Sequence, residues 1–148
     1  MPRTKLFIGS SAAAKSQAKA IVEKFQGLTV EFIPWWDAFT AGDTLLGALD
    51  TIARSVDGAL MVFSPESESV IRGNKVDVPN LNVLAEFTYF YGKFGKKHVA
   101  MIKYGDFYLP SDFGGYIHIF GSTYFKRSKV TQVGKRTETE FGRWIGAF

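Results

Sequence analysis

At 148 residues, with 46% hydrophobic and 16% aromatic side chains, the chain has the length of one domain and enough apolar material for a substantial core. A formal charge of +4 suits phosphate-bearing ligands without marking a nucleic-acid binder. The absence of cysteine excludes a disulfide framework, a thiolate metal centre and a cysteine nucleophile, and the two histidines, His98 and His118, have no ligand spacing around them. No secretory signal or membrane-length apolar run is present, so the expectation is a soluble cytoplasmic protein.

In chain order, Leu6-Phe7-Ile8-Gly9 reads as a buried first strand, and Ser10 or Ser11 as the cap of a helix from about Ala12 to Gln26, stopped by Gly27. Leu28 to Ile33 is a second strand ended by Pro34. A long connection with two tryptophans runs from Pro34 to about Asp43, then a helix from Thr44 to Ser55. Ala59 to Phe63 is a third strand, and Ser64 to Asn80 reads as a long, polar, irregular loop. A helix follows over Asn82 to Gly95, with Val83, Phe87, Phe90 and Phe94 at core spacing. His98 to Lys103 and Tyr116 to Phe120 are the last two strands, separated by a loop over Leu109 to Gly115. The tail has a helical pattern near Glu138 to Ile145. Uniformly apolar strands alternating with helices predict a doubly wound, mostly parallel five-stranded sheet of flavodoxin-like type. Ligands of such sheets bind at the carboxyl ends of the strands. There, Gly9-Ser10-Ser11, Pro34 to Phe39 and Ser64 to Asn80 converge.

Several residues admit two readings each. Gly9-Ser10-Ser11 fits a helix cap, and equally a turn whose N–H groups and hydroxyls meet phosphate or ribose. Trp35 and Trp36 fit one core ring and one exposed ring, or a stacking platform for a base or cationic ring. The basic runs Lys96-Lys97-His98, Lys126-Arg127-Ser128-Lys129 and Lys135-Arg136 read as solvated faces. Within the long polar loop, Arg72-Gly73 is the pair suited to a phosphate contact. Glu86 sits at the edge of its helix's apolar face, with Asn82, Val83, Tyr89 and Phe90 one turn away and no cation among them. It reads either as a solvated edge residue or as a carboxylate with a function.

The ordered set Phe7-Ile8-Gly9-Ser10-Ser11, Ile33-Pro34-Trp35 with Asp37-Ala38-Phe39, Arg72-Gly73, Asn82-Val83 with Glu86-Phe87, Phe90, Gly92, Gly95 and Leu109-Pro110-Ser111-Asp112 resembles the bacterial TIR-like domains of the CBASS-associated type. These are fused to STING or SAVED cyclic-nucleotide sensors in antiphage defence. The resemblance spans roughly residues 4 to 120 of a single TIR-like domain, with residues 121 to 148 a poorly matched C-terminal extension. It implies a TIR fold and NAD⁺ glycohydrolase activity, with the catalytic glutamate falling on Glu86. It also implies self-association into filaments or stacked oligomers and a cyclic-nucleotide sensor as partner, with no membrane and no direct nucleic-acid contact. Two positions depart from the family pattern: Asn80 stands where an arginine is usual, and Thr88 where a glycine is usual.

The implied chemistry needs no cofactor, since NAD⁺ is the substrate. Nicotinamide leaves as a neutral base, so one carboxylate facing C1′ suffices to stabilise or trap the oxocarbenium-like ribose. In this scheme Trp35 or Phe39 holds the nicotinamide ring and the Phe7 to Ser11 turn, through Gly9, Ser10 and Ser11, faces ribose or phosphate. Arg72 reaches the pyrophosphate, and Asp37 fixes the aromatic segment or binds ribose. Two other readings stand beside it: a non-catalytic TIR assembly module, and a nucleoside deoxyribosyltransferase-like enzyme.

Overall fold

The computed structural model describes residues 3–27, 29–39, 42, 44–110, 115–125 and 131–148. Leu28, Asp43, residues 111–114 of the loop before the last strand of the sheet, and the Lys126-Arg127-Ser128-Lys129 run lie outside the described residues. The chain runs β1 (Thr4–Gly9), α1 (Lys15–Phe25), β2 (Val30–Pro34), α2 (Trp35–Ala38), α3 (Leu45–Ala53) and β3 (Gly58–Phe63). It continues β4 (Ser67–Ile71), β5 (Asn74–Val78), α4 (Leu81–Phe94), a 3-10 turn over Lys96–His98 and β6 (Val99–Lys103). It ends β7 (Ile117–Phe120), β8 (Thr123–Phe125), β9 (Thr131–Val133) and α5 (Lys135–Gly146).

Five strands form a parallel sheet in the order β2-β1-β3-β6-β7, which is the expected flavodoxin-like winding. Side chains alternate between its faces, and both faces are covered, so the strands are apolar without a break. Leu6, Ile8, Leu60, Val62, Ala100 and Ile102 pack under α1 and α5. Phe7, Ala59, Met61, Phe63, Val99 and Met101 pack under α3 and α4. Gly9 closes β1 because a Cβ there would fall inside the Met61 side chain of the adjacent strand.

Four expectations change. The polar stretch after β3 is a β-hairpin: β4 and β5 pair antiparallel from Ser67↔Val78 to Ile71↔Asn74. Its turn places Arg72 at φ 51° and Gly73 at φ 80°, the left-handed region that two-residue hairpin turns require. The segment after Pro34 is not open loop, since Trp35–Ala38 form a helical turn. Neither serine occupies the N-cap of α1, which is Ala14; the Ser11 hydroxyl instead accepts from the Ala14 N–H at 3.2 Å, closing a turn just before the helix. Finally, α5 is longer than its periodicity suggested and follows a second hairpin, β8–β9.

The tail is therefore part of the core. Phe141 stacks on Phe25 of α1 with ring centroids 4.2 Å apart, and the Trp144 indole N–H donates to the Lys97 carbonyl at 2.9 Å. Thr137, fully buried, donates its hydroxyl to the Phe120 carbonyl at 2.6 Å and accepts from the Ser122 N–H at 2.9 Å. The two positions that depart from the family pattern have local roles. Asn80 caps α4, its side-chain oxygen accepting from the N–H groups of Asn82 and Val83 at 2.9 and 3.2 Å. Thr88 returns its hydroxyl to the Leu84 carbonyl one turn back, at 2.8 Å. Among the described residues no helix is long and apolar enough to cross a membrane.

Truncating Phe141 to alanine should leave a cavity between α1 and α5 and lower the unfolding free energy by roughly 3–5 kcal/mol. Urea unfolding followed by circular dichroism checks this; an unchanged midpoint would mean that α5 is an appendage.

Candidate active site at the carboxyl edge of the sheet

After β3 and the β4–β5 hairpin, α4 returns the chain to the start of β6, so it runs antiparallel to the strands of the sheet. Its second turn, which carries Glu86, therefore lies level with their carboxyl ends. Phe87 marks that level, packing on Phe63, the last residue of β3, at 6.0 Å. Glu86 is only 7% exposed, although periodicity had put it at the helix edge. Among the described residues, Ser10, Ser11, Glu86 and Thr137 form the buried polar class, and Glu86 is the one ionisable group among these. It forms no hydrogen bond or ion pair among the described residues. Burial without compensation pushes its carboxyl up to about 7.

Tyr89 and Lys93, which follow Glu86 on α4, are committed elsewhere. The Tyr89 hydroxyl donates to Asp50 of α3, and the Lys93 ammonium faces the same carboxylate at 3.5 Å. Burial, together with Asp50, pushes the Tyr89 hydroxyl up to about 12, while the Tyr89 bond and the Lys93 charge hold the Asp50 carboxyl below its usual value. This clasp ties α3 to α4. Phe90, one turn beyond Glu86, packs on Phe7 of β1 at 4.9 Å, and Phe7 meets Phe39 edge-on at 6.2 Å. Since residues four apart share a helix face, Glu86 is on the side of α4 that looks toward β1 and the segment after β2.

On that segment the two tryptophans straddle the edge of the sheet. Trp35 packs on the Phe7 side and Trp36 on the Leu6 side, both half-buried, so neither is the purely core or purely exposed ring of the simpler reading. The rings stand edge to face at 5.8 Å. The Trp35 indole N–H donates to the Ser10 hydroxyl oxygen at 2.7 Å, and Ser10 donates on to the Ser11 carbonyl at 2.9 Å. Lys15 projects its ammonium over both rings, 5.7 Å from Trp35 and 5.6 Å from Trp36. Asp37 is exposed and Phe39 half-buried. Phe7 is sealed from solvent, so its ring supports this edge from beneath.

The structure thus brings Ser10 and Trp35 into contact, and sets Phe90, Phe7 and Phe39 in one row of ring contacts, with Glu86 one turn before Phe90 on α4. Arg72 stands apart. It is exposed at the hairpin tip and lines a hollow of about 430 Å³ with Ile71, Asn74, Val76, Tyr108 and Leu109. His98 lies in the 3-10 turn, its Nδ1 3.2 Å from the Phe94 carbonyl, and His118 in β7; no metal-binding cluster of side chains occurs among the described residues. Lys15, Asp50 and Tyr89 had escaped the sequence reading. Lys15 and Trp35 are twenty positions apart, and Asp50 and Tyr89 are joined only by helix packing.

A family model described as the TIR domain of CAP12/Pycsar effector proteins matches residues 5–121. CD-NTase-associated protein 12 of Sphingobacterium faecium is 32% identical over 113 residues, covering 76% of this chain and 35% of that protein. A protein of the same name from a Lachnospiraceae bacterium is also 32% identical over 113 residues, covering 76% of this chain and 36% of its own length. Protein tirC of Dictyostelium discoideum is 28% identical over 90 residues, 53% of this chain and 45% of that protein. The chain spans about a third of the length of the first two relatives.

The raised Glu86 carboxyl has a cost that depends on pH. Below its usual value of 4.5 both folded and unfolded chains hold the proton, and nothing is lost. As pH rises from there to about 7 the unfolded chain ionises first, so the folded state loses stability; above about 7 the penalty is complete. At about 1.4 kcal/mol per pKa unit it reaches roughly 3 kcal/mol. Glu86→Gln should therefore be more stable than the parent by roughly that amount at pH 8, and equal to it at pH 4. Urea unfolding at the two pH values decides; a difference that does not grow with pH contradicts an unpaired buried carboxylate.

Proposed function

The chain belongs to the TIR-domain family of CAP12/Pycsar effectors, and on that premise we propose that it is an NAD⁺ glycohydrolase with Glu86 as its catalytic residue. The observation that carries this reading is the setting of Glu86: buried, unpaired, level with the carboxyl edge of the sheet, and turned toward the aromatic segment after β2. An isolated carboxylate costs stability there, which is the mark of a group kept for chemistry rather than for folding.

The proposed reaction breaks the bond between C1′ of the ribose and the ring nitrogen of nicotinamide. The electron pair leaves with nicotinamide, which departs neutral and needs no proton. Positive charge passes to the ribose, and the ionised Glu86 stabilises it or traps C1′ covalently. Attack by water gives ADP-ribose; attack from within the substrate gives a cyclic isomer. Trp35 or Phe39 holds the nicotinamide ring, gripping it while cationic and releasing it once neutral. The bond from Trp35 to Ser10 fixes that ring in advance. Gly9, Ser10 and Ser11 present backbone to ribose or phosphate, and Phe7 supports them from beneath. Asp37 orients the aromatic segment or meets ribose, and Arg72 takes part only if the pyrophosphate reaches the hairpin.

The same reading extends to the whole protein. The relatives' names tie them to CD-NTases, and this chain spans about a third of their length. It is proposed as the effector domain of a CBASS antiphage system in the cytoplasm, joined to or recruited by a STING- or SAVED-like cyclic-nucleotide sensor and active when self-associated. Leu46, Val70 and Leu81, each more than 60% exposed, are apolar surface that such an assembly would cover.

Nicotinamide release from NAD⁺ by the parent, assayed at high protein concentration with a crowding agent, should rise with pH through about 7 and level off as Glu86 ionises. Glu86→Gln should lose at least roughly a hundredfold in rate at pH 8. A folded Glu86→Gln protein that matches the parent rules the proposal out.

A further inference from the structure

We infer that Lys15 makes the tryptophan pair selective for a pyridinium nucleotide that carries phosphate over the same cation without it. The inference rests on the proposed NAD⁺ site. Lys15 is the first residue of α1 and is half-buried, with its ammonium 5.7 and 5.6 Å from the centroids of Trp35 and Trp36. Among the described residues it pairs with no carboxylate. Its charge is therefore held by ring faces alone, which attract cations through their negative quadrupole.

This geometry sets a competition. A pyridinium ring held at Trp35 meets a positive charge already there, and two cations at one ring oppose each other. Trp35 is fixed by its bond to Ser10, so its ring does not make room; Lys15 does. A lysine stem is long and flexible enough to carry the ammonium away without moving α1. The displaced charge then needs an anion in place of the rings. NAD⁺ brings one, its pyrophosphate lying one ribose from the nicotinamide. Nicotinamide riboside brings none, and leaves Lys15 with neither rings nor counter-ion. Lys15 thus opposes the bare cation and rewards the nucleotide, using one charge for both effects. Lys19, 5.9 Å from Trp36 alone, adds to the positive field without lying over Trp35.

The test uses the full chain carrying Glu86→Gln, which binds without turnover, with and without Lys15→Met, a change that keeps the stem and removes the charge. NAD⁺ and nicotinamide riboside are titrated separately against tryptophan fluorescence. With Lys15 present NAD⁺ should bind at least tenfold more tightly than the riboside. With Lys15→Met, NAD⁺ should weaken at least tenfold and the riboside should bind equally well or better, so the preference collapses; Lys15→Arg should retain it. Equal changes for both ligands, or no change for either, overturn the inference while leaving the proposed activity standing. If neither ligand binds with Lys15 present, the proposed NAD⁺ site fails and the inference falls with it.

Discussion

Strand β1 is sealed on both faces, and the architecture is arranged around that fact. Leu6, Phe7 and Ile8 are fully buried, with Phe7 under α3 and α4, and Leu6 and Ile8 under α1 and α5. From Leu6 to Gly9 the strand is buried, and that stretch has no place for polar chemistry. Such groups are displaced to its carboxyl end, where Gly9 gives way to Ser10 and Ser11 and the chain turns. Parallel pairing in register brings Pro34 opposite Ile8, so the tryptophan segment emerges beside that turn. The site follows from where a doubly covered sheet lets its backbone out.

Within that frame the uncompensated burial of Glu86 is the notable expense. Ser10, Ser11 and Thr137 are satisfied, Ser10 by Trp35 and the Ser11 carbonyl, Ser11 by the Ala14 N–H, Thr137 by Phe120 and Ser122, while the buried Tyr104 hydroxyl has no partner among the described residues. Near Glu86 the helix offers a phenol and an ammonium, and Asp50 draws both to itself. Asp50 thereby fixes α3 against α4, and the Glu86 carboxylate stays without a donor. In the proposed reaction, a carboxylate held by burial alone meets positive charge that arises only on the ribose as nicotinamide leaves.

The sheet was legible because burial on both faces writes itself into the strands as unbroken apolar runs. Gly58 to Phe63 is buried at every position, and its sequence reads that way. The β4–β5 hairpin was not legible. In β4, Ser67, Glu68, Ser69 and Val70 are exposed in succession and show no alternation, and the alternation in β5 is confined to Lys75-Val76-Asp77-Val78, with Val76 and Val78 only half-buried. Its turn adds a second obstacle, since Arg72 adopts a positive φ that its side chain gives no reason to expect. Helical spacing identified Glu86 as unusual but set it at the edge of the apolar face, because periodicity describes one helix and burial here comes from neighbouring elements. The tail's helix was legible over Glu138 to Ile145, but its docking on the core was not, for a related reason. Phe141, Trp144 and Ile145 carry the apolar face of α5, and Phe25, on which Phe141 stacks, is more than a hundred residues away.

The central claim is that Glu86 is a buried carboxylate with no partner, kept poised near neutrality by desolvation. Its side-chain carboxyl carbon, labelled with ¹³C and assigned by comparison with Glu86→Gln, reports this directly when titrated by NMR in the absence of ligand. The account expects a midpoint close to 7. A midpoint at 4.5, the usual value for a solvated glutamate, would contradict it.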